Sequence, residues 1–377
     1  MKKMREPKIK MTGYELCSVN ILQAPISYID HRGEIDPKIW LCERKVYPVI
    51  VAPMGAVTNE YNYKVWLDHG FICVVPRTVD FEKRLQICRE TFCSFSLKEA
   101  EQLKSIFTNI SPDDRLYICI DIAHGTMNRL YEICKELKEI FHESMVIMTG
   151  NVANPNAYTF YSSTGINAMR LGIGTGSRCI TTSNTGIHYP SASLIDNTAQ
   201  KREESTIPNR VTLIADGGIK NFDEINKCLC LGADAVMSGN IFARSEEACE
   251  DIVFLHPDKL NQSDAIPYDE YFQKLDAFRG DPDAYDAYEK LNKRKPYRLY
   301  YGMSTKLAQK KTGGSGKQTS EGIIKYIPVE FKIEKWAENM EDYLKSCMSY
   351  CGCLNIDELK EISEVIINLS GDGSYNK

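Results

Sequence analysis

The sequence predicts an α/β fold in which eight parallel strands close into a (β/α)8 TIM barrel. Eight short apolar segments recur along the 377-residue chain, with helical stretches between them. Their starts lie about 20 to 30 residues apart, with one longer gap of about 43, and this spacing is typical of strand–helix units in a parallel sheet. The apolar run Val-Ile-Val-Ala at 49–52 indicates a strand buried on both faces. An open, doubly wound sheet is the alternative arrangement.

The predicted strands are followed by three further segments. In chain order, the strands are predicted at residues 49–53, 71–76, 91–96, 116–122, 145–150, 168–171, 211–215 and 235–238. Residues 251–300 indicate an excursion from the barrel, and the polar, glycine-rich segment 304–325 indicates a mobile active-site flap. Residues 334–369 indicate C-terminal helices. We therefore predict one domain over 1–377, with a barrel core at about 45–250.

Composition excludes several classes of protein. The net charge of −5 and the pI near 5.8 argue against a nucleic-acid-binding surface. No apolar window approaches the ~18 residues of a membrane helix, and the basic N-terminus lacks the apolar stretch of a secretory signal. The 14 cysteines show no disulfide or zinc-type spacing, since Cys228 and Cys230, like Cys351 and Cys353, lie too close in sequence. We expect a cytoplasmic protein with reduced thiols that binds neither nucleic acid nor membrane.

A glycine-rich loop with one thiol follows the sixth predicted strand. Residues 172–181 read Gly-Ile-Gly-Thr-Gly-Ser-Arg-Cys-Ile-Thr. The glycines allow positive φ angles, which turn backbone amides and carbonyls toward a ligand. Local positive potential lowers a thiol pKa and favours the thiolate, so Cys179 is a candidate nucleophile. A buried structural cysteine on a flexible loop is the alternative.

Glycines also follow the last two predicted strands. Asp216-Gly217-Gly218 comes after the seventh strand, and Gly239-Asn240 comes after the eighth. In a (β/α)8 barrel the loops after the strands carry the chemistry, and glycine amides here bind an anion where a side chain would obstruct it. These two loops therefore predict a phosphate site.

Several motifs, each at its expected place along the chain, resemble those of one family. They are the 172–181 loop, Ala-Asp-Gly-Gly-Ile at 215–219, Gly-Ala-Asp-Ala-Val-Met at 232–237, Tyr-Gly-Met at 301–303 and Tyr-Cys-Gly at 350–352. Over roughly residues 13–365 the chain resembles the IMP dehydrogenase and GMP reductase family. The resemblance implies an oxidoreductase of purine nucleotides.

Two absences from the sequence favour the GMP reductase branch. Too few residues separate Pro76 from Thr91 to hold the pair of regulatory CBS domains that the dehydrogenases usually carry there. The Arg-Tyr pair that activates the dehydrogenases' hydrolytic water does not occur between Met303 and Glu321. The flap residues at 310–311, 313–314 and 320–322, and the segments at 185–186 and 189–190, are similar to reductase motifs. The resemblance is therefore closest to GMP reductase.

Two other functions remain alternatives. One is an IMP dehydrogenase, which converts IMP to XMP with NAD, or a relative acting on a modified purine nucleotide. The other is a non-catalytic nucleotide-binding protein that keeps the barrel and uses residues 251–300 to bind a partner.

The reductase resemblance implies a covalent mechanism. Cys179 attacks C2 of GMP and expels ammonia to leave a thioimidate, while Thr181 and Glu321 supply the proton that ammonia needs. NADPH, with NADH also possible, delivers hydride to C2 and yields IMP. The resemblance further implies a homotetramer and a potassium ion held by the carbonyls of Gly174, Gly176 and Cys179.

The resemblance also implies which residues bind the two nucleotides. Asp216 is expected to bind the ribose of the substrate. The other expected substrate contacts are Ser177, Gly217, Gly218, Gly239, Asn240, Tyr301, Gly302, Met303, Ser320 and Gly322. The cofactor contacts are Arg77, where a lysine is usual, Asp121, Ile122, Ala123, Ile173, Gly174 and, reaching a neighbouring subunit's cofactor, Ser346 and Ser349.

Overall fold

The computed structural model describes residues 12–108, 110–111, 113–176, 181–260, 262–279, 284–303, 305–312 and 322–368. Its first eight strands are β1 Val19–Leu22, β2 Ile39–Leu41, β3 Arg44–Val46, β4 Val49–Val51, β5 Ile72–Val75, β6 Phe92–Phe95, β7 Leu116–Asp121 and β8 Met145–Val152. The other eight are β9 Ala168–Leu171, β10 Thr212–Asp216, β11 Ala235–Ser238, β12 Ile252–Leu255, β13 Ile266–Pro267, β14 Lys295–Tyr300, β15 Lys325–Pro328 and β16 Glu364–Ile367.

Helices alternate with the central strands. The first seven are α1 Tyr63–Asp68, α2 Phe81–Ile87, α3 Leu97–Ile106, α4 Asn128–Phe141, α5 Ala157–Ser162, α6 Thr181–Thr185 and α7 Ser191–Glu203. The others are α8 Phe222–Cys230, α9 Asn240–Ala243, α10 Tyr268–Phe278, α11 Tyr285–Asn292, α12 Lys306–Lys311, α13 Ile333–Cys351 and α14 Ile356–Ile362. No helix in the described ranges is both long enough and apolar enough to cross a membrane.

Strands β4 to β11 pair in parallel and in sequence order, and β11 pairs with β4 to close the barrel. The predicted (β/α)8 barrel is confirmed, and the open sheet is excluded. Each predicted strand is present, with its ends shifted by at most two residues. The connection from β5 to β6, residues 76–91, contains the single helix α2 and no inserted domain.

The strands are apolar throughout because each one is buried on two faces. On β4, the side chains of Val49 and Val51 enter the core between the sheet and the helices, whereas Ile50 points into the barrel. This is the two-residue alternation of a β-strand with an apolar partner on both sides. The interior also contains Phe92, Met148 and Met237, so the lower barrel is packed core and a ligand site can form only at its mouth.

The excursion at 251–300 forms a small layer of its own beside the barrel. Strands β13, β12, β14 and β15 make an antiparallel sheet, and α10 stacks the Tyr271 ring on Phe254 at a centroid distance of 3.6 Å. Arg298 of β14 is fully buried and donates hydrogen bonds to the carbonyls of Ala243, Ser245, Glu246 and Glu250. These bonds attach the sheet to the segment that leaves the barrel.

The antiparallel pair β14 and β15 also brings together the two ends of the predicted flap. Tyr300 at the end of β14 is paired with Lys325 at the start of β15. The segment between them is therefore tethered at both ends, although residues 304 and 313–321 lie outside the described residues.

The chain returns to its start at the C-terminal end. Helices α13 and α14 agree with the predicted helices, but residues 364–367 form β16, which pairs antiparallel with β1. The prediction of helix up to residue 369 is wrong in this part. The segment Glu-Val-Ile-Ile is rich in β-branched residues, which favour a strand once a partner strand is available.

Candidate active site

A cleft of about 770 Å³ opens at the carboxyl ends of the barrel strands. Its walls come from the segments that follow β4, β10 and β11, from the ends of β7 and β9, and from the start of the predicted flap. The residues that line it are Ala52, Pro53, Met54, Asp121, Arg170, Gly176, Asp216, Gly217, Gly218, Ile219, Lys220, Ser238, Gly239, Asn240, Tyr300, Gly302 and Met303.

A buried arginine lies at the base of this cleft. Arg170 of β9 is 5% exposed and forms ion pairs with Asp121 of β7 at 2.6 Å and with Asp216 of β10 at 2.8 Å. Ser94 donates to the second oxygen of Asp121, and the side-chain amide of Asn151 donates to Asp216 Oδ2. Charged groups are buried stably only when they are paired and hydrogen-bonded, and this network meets that condition.

The pairing also fixes the charge states of Arg170 and Asp121. Burial disfavours the charge on Arg170, but Asp216 and Asp121 outweigh it and raise the pKa of the guanidinium well above its usual range. Burial alone would raise the pKa of Asp121. Attraction to Arg170 and Arg77, with hydrogen bonds from Arg170 and Ser94, lowers it instead. Asp121 is therefore a carboxylate at neutral pH.

Asp216 has one carboxylate oxygen left for a ligand. Its Oδ2 accepts hydrogen bonds from Asn151 at 2.6 Å and from Nε and a terminal nitrogen of Arg170 at 3.0 and 2.8 Å. Its Oδ1 accepts none from the described residues, and the side chain lines the cleft. A fixed carboxylate with one free oxygen is a suitable acceptor for ribose hydroxyls.

The predicted phosphate loops lie side by side in the cleft. The backbone amides of Gly218, Gly239 and Asn240 donate no hydrogen bond to any residue that the structure describes. Lys220 follows the first loop, and its ammonium forms no ion pair with the described part of the chain. Unpaired amides and a nearby cation together make a suitable site for a phosphate dianion.

The described part of the candidate nucleophile loop packs on the first phosphate loop. The Thr175 hydroxyl donates to the Asp216 carbonyl at 2.8 Å. Gly217 has φ +93°, and a Cβ there would lie 2.5 Å from the Thr175 hydroxyl. Gly172, with φ +129°, likewise approaches the Asp216 carbonyl too closely for a side chain. Glycine is therefore required where these loops touch, and Gly176, three residues before Cys179, reaches the cleft wall.

Most of the described substrate residues predicted from the sequence come together in this cleft. Those lining it are Asp216, Gly217, Gly218, Gly239, Asn240, Gly302 and Met303. The structure places Tyr301 elsewhere: its side chain is fully buried and its hydroxyl donates to Glu250 and accepts from Lys311. The neighbouring Tyr300 lines the cleft instead. Gly322 lies just before β15, outside the cleft lining.

The predicted cofactor residues divide into three groups. Asp121 lines the cleft, Ile122 and the exposed Ala123 follow it on the loop after β7, and Arg77 contributes positive potential at Asp121. Ile173 and Gly174 lie on the loop after β9, where Gly174 has φ +73° and approaches Thr182 too closely for a side chain. Ser346 and Ser349 lie on α13, outside the cleft lining.

The main catalytic candidates fall largely outside the described residues. Ser177, Cys179, Ser320 and Glu321 are not among them. Thr181 is described as the first residue of α6, and its carbonyl accepts a hydrogen bond from the Thr185 hydroxyl. The roles assigned to Cys179, Thr181 and Glu321 stay predictions.

Eight cleft residues are not among the predicted contacts: Ala52, Pro53, Met54, Arg170, Ile219, Lys220, Ser238 and Tyr300. Arg170 carried a signal, because a charged residue within an otherwise apolar strand needs buried partners. Lys220 carried a weaker one, as a cation two residues after a phosphate glycine. The Tyr300 hydroxyl lies 3.3 Å from the Met54 sulfur, and no sequence pattern indicates that contact.

Comparison with known proteins agrees with this architecture. Residues 97–265 match the family model described as the IMP dehydrogenase / GMP reductase domain. The chain is 28% identical to GMP reductase of Clostridium acetobutylicum over 358 residues, covering 91% of this chain and 94% of that protein. The chain is therefore similar to the IMP dehydrogenase / GMP reductase family. The predicted resemblance is thereby confirmed, and the family's enzymes are oxidoreductases of purine nucleotides.

Two further relatives represent both enzymes of the family. GMP reductase of Streptococcus agalactiae is 28% identical over 327 residues, 86% of this chain and 85% of that protein. Inosine-5'-monophosphate dehydrogenase of Chlorobaculum tepidum is 32% identical over 244 residues. This last match covers 65% of the present chain and only 43% of the dehydrogenase, so the chain spans less than half of that relative.

The ion pair of Asp121 predicts a specific pH dependence of stability. The pKa of Asp121 is lowered in the folded protein, so its contribution to stability is complete well above the unfolded pKa near ~4 and is lost progressively as pH falls through that value toward the lower folded pKa. Asp121→Asn should reduce the free energy of unfolding by about 2 kcal/mol at pH 7. Urea unfolding of both proteins between pH 7 and pH 3 measures the difference, which should shrink with acidification. A pH-independent difference would contradict the assignment.

The close packing around Gly239 allows a steric test of the predicted phosphate site. A Cβ at Gly239 would collide with Met54 Sδ and lie 2.8 Å from the Tyr300 hydroxyl. Gly239→Ala should therefore displace these side chains and weaken the affinity for GMP about tenfold, or ~1.4 kcal/mol. Titration calorimetry measures this, with Gly33→Ala as the control because a Cβ at Gly33 meets nothing within 4 Å. Equal affinities of the two variants would argue against a phosphate at this position.

Proposed function

We propose that this chain is a GMP reductase that converts GMP to IMP and ammonia through a covalent intermediate on Cys179. The observation that carries the proposal is that, among the described residues, Asp216 Oδ1 accepts no hydrogen bond and the amides of Gly218, Gly239 and Asn240 donate none, all on one cleft. A ribose acceptor next to a phosphate site fits a nucleoside monophosphate. Met303 would lie along the purine base.

The comparisons support the reductase rather than the dehydrogenase. GMP reductases align over 85% to 94% of their own length, whereas the two inosine-5'-monophosphate dehydrogenases align over 43% of theirs. The absence of the Arg-Tyr pair from the flap sequence supports the same choice. Without this pair water is not activated, so the covalent intermediate on Cys179 reacts with hydride rather than with water.

The proposed chemistry begins with the Cys179 thiolate. It attacks C2 of GMP, the C2–S bond forms, and the bond to the exocyclic amine breaks to give ammonia and a thioimidate. Thr181 and Glu321 supply the proton that the amine needs in order to leave. In the second half, hydride adds to C2 and the C2–S bond breaks, which releases IMP and restores the thiolate. Closure of the flap would exclude competing water.

The residues at the cleft entrance fit a nicotinamide cofactor. Arg77 Nε is buried and has no hydrogen-bond partner in the described part of the chain, and Ala123 is exposed on the loop that follows Asp121. Arg77, Ile122, Ala123, Ile173 and Gly174 would hold NADPH, or NADH. When bound, the cofactor supplies the hydride. Asp121 would act here by fixing Arg170, since both of its own oxygens are already bonded.

Two further features belong to the proposal. The carbonyls of Gly174, Gly176 and Cys179 would hold a potassium ion, for which carbonyl oxygens are suitable ligands. Ser346 and Ser349 would reach the cofactor of a neighbouring subunit in a homotetramer.

IMP dehydrogenase is the second candidate. It is favoured by the identity of 32% to the Chlorobaculum dehydrogenase, which exceeds the 28% to either reductase, although over fewer residues. It would use the same cleft and thiol: Cys179 would attack C2 of IMP, the C2 hydride would pass to NAD, and water would then hydrolyse the thioimidate to XMP and restore the thiol.

One assay distinguishes these functions. Nicotinamide absorbance is followed with GMP plus NADPH or NADH, and with IMP plus NAD. Oxidation of the reduced cofactor by GMP, with formation of IMP and ammonia, is the expected result. Reduction of NAD with accumulation of XMP would refute the reductase. No turnover with either pair, despite tight nucleotide binding, would favour the non-catalytic alternative.

Cys179 gives the sharpest test of the mechanism. Cys179→Ala should abolish turnover while GMP still binds, because the ribose and phosphate contacts are elsewhere. Calorimetric GMP binding and single-turnover rates measure the two effects. Cys249→Ala is the control, since this half-buried thiol only donates to the Gly55 carbonyl and lies outside the cleft lining. Substantial turnover by Cys179→Ala would refute its role as the nucleophile.

A further inference from the structure

Three thiols meet at a place remote from the cleft lining. Cys230 is the last residue of α8, and Cys347 and Cys351 lie on α13. Their three sulfur atoms all lie within 4.8 Å of one another. We call these three residues the thiol cluster.

Helix geometry explains the cluster. Cys347 and Cys351 are four residues apart, so their side chains lie on the same face of α13. Helix α13 packs on α8, which ends at Cys230. Cys230 is 5% exposed and Cys351 is 4% exposed. The spacing along the chain did not indicate this site, because its ligands come from two helices more than one hundred residues apart.

A further polar group lies near the cluster. The Ser363 oxygen is buried and has no conventional hydrogen-bond partner among the described residues. Ser363 lines a cavity together with Cys230 and another together with Cys351. The thiolate is the form of cysteine that ligates metals, and metal binding displaces the thiol protons.

Ions can reach the cluster from the surface. Cys230 borders a surface cavity that is also lined by Asp196, Glu203, Asp357 and Glu361. Cys351 borders a second cavity beside the segment that follows β1. Ser363 lines both cavities, and in the first Arg210 and Lys360 pair with Glu203 and Asp357, so this cavity gives a path from solvent without a strong field of either sign.

We propose that Cys230, Cys347 and Cys351 bind one thiophilic divalent cation, of which Zn²⁺ is the best fit. Zn–S bonds of about 2.3 Å in a tetrahedron require sulfur separations near ~3.8 Å, which a small contraction of the cluster provides. A water molecule entering from a cavity, or the Ser363 hydroxyl, completes the four ligands. Binding converts the three thiols to thiolates and releases their protons to solvent.

Such an ion would crosslink α8 to α13. It would hold the C-terminal helix on the barrel in the way that structural zinc sites join separate elements. The inference does not depend on the proposed function, because the cluster shares no residue with the cleft.

Cobalt titration tests the site in the full chain. Co²⁺ added to the reduced, metal-free native protein should bind one ion per chain, with a thiolate charge-transfer band and the visible bands of tetrahedral cobalt. Zn²⁺ should displace it and abolish both spectra. Because these measurements use the native chain, failure of a variant to fold does not affect them.

Matched variants locate the ligands. Cys230→Ala and Cys351→Ala should weaken Zn²⁺ binding at least about 100-fold. Cys228→Ala is the control, since it removes a buried thiol from the same helix outside the cluster, and Cys179→Ala excludes binding by the proposed nucleophile. Both controls should keep the cobalt spectrum. Absence of the charge-transfer band in the native chain, or its persistence in both cluster variants, would overturn the proposal. A disulfide within the cluster of the freshly purified protein would also overturn it.

Discussion

The buried charge of Arg170 is the constraint on which the barrel mouth depends. Arg170 is only 5% exposed, so its guanidinium needs anionic partners. Here the partners are Asp121 of β7 and Asp216 of β10. This requirement fixes both carboxylates and, through Asn151, the end of β8. Arg170 and Asn151 bond Oδ2 of Asp216, so Oδ1, which accepts no hydrogen bond from the described residues, belongs to a fixed carboxylate at the cleft wall. The interaction that holds three strand ends together therefore also prepares the ligand site.

The backbone conformation of the loops after β9 and β10 forms the rest of the candidate site beside the Arg170 network. The loops after β9 and β10 touch at Thr175 and Gly217, where a side chain on the glycine would have no room. Within the described part of the chain, the Gly218 amide beside this contact is unpaired, as are those of Gly239 and Asn240. An anion would complete the hydrogen bonding of all three. The site is thus made mainly of backbone groups on a rigid scaffold, which suits recognition of phosphate rather than of a particular base.

The additions to the barrel act from the periphery. Arg298 holds the antiparallel sheet against the segment that leaves β11, and that sheet tethers both ends of the predicted flap. On the other side, β16 pairs with β1 and α13 packs on α8, where the thiol cluster lies. Both additions support loops or helices of the barrel without adding to its interior.

The sequence by itself determined the barrel and the resemblance to the family, and it predicted where the site lies. A strand that is buried on both faces needs apolar residues along its whole length. A glycine is needed where two backbone segments come into contact. Both requirements are visible in the local sequence. Only the tertiary structure decided the pairing of Arg170, the choice of Tyr300 over Tyr301 at the cleft, the strand at 364–367 and the thiol cluster. Each depends on a partner distant in sequence: Val19–Leu22 for β16, Cys230 for Cys351, and two other strands for Arg170. Local sequence records what a residue requires, whereas folding decides which distant residue provides it.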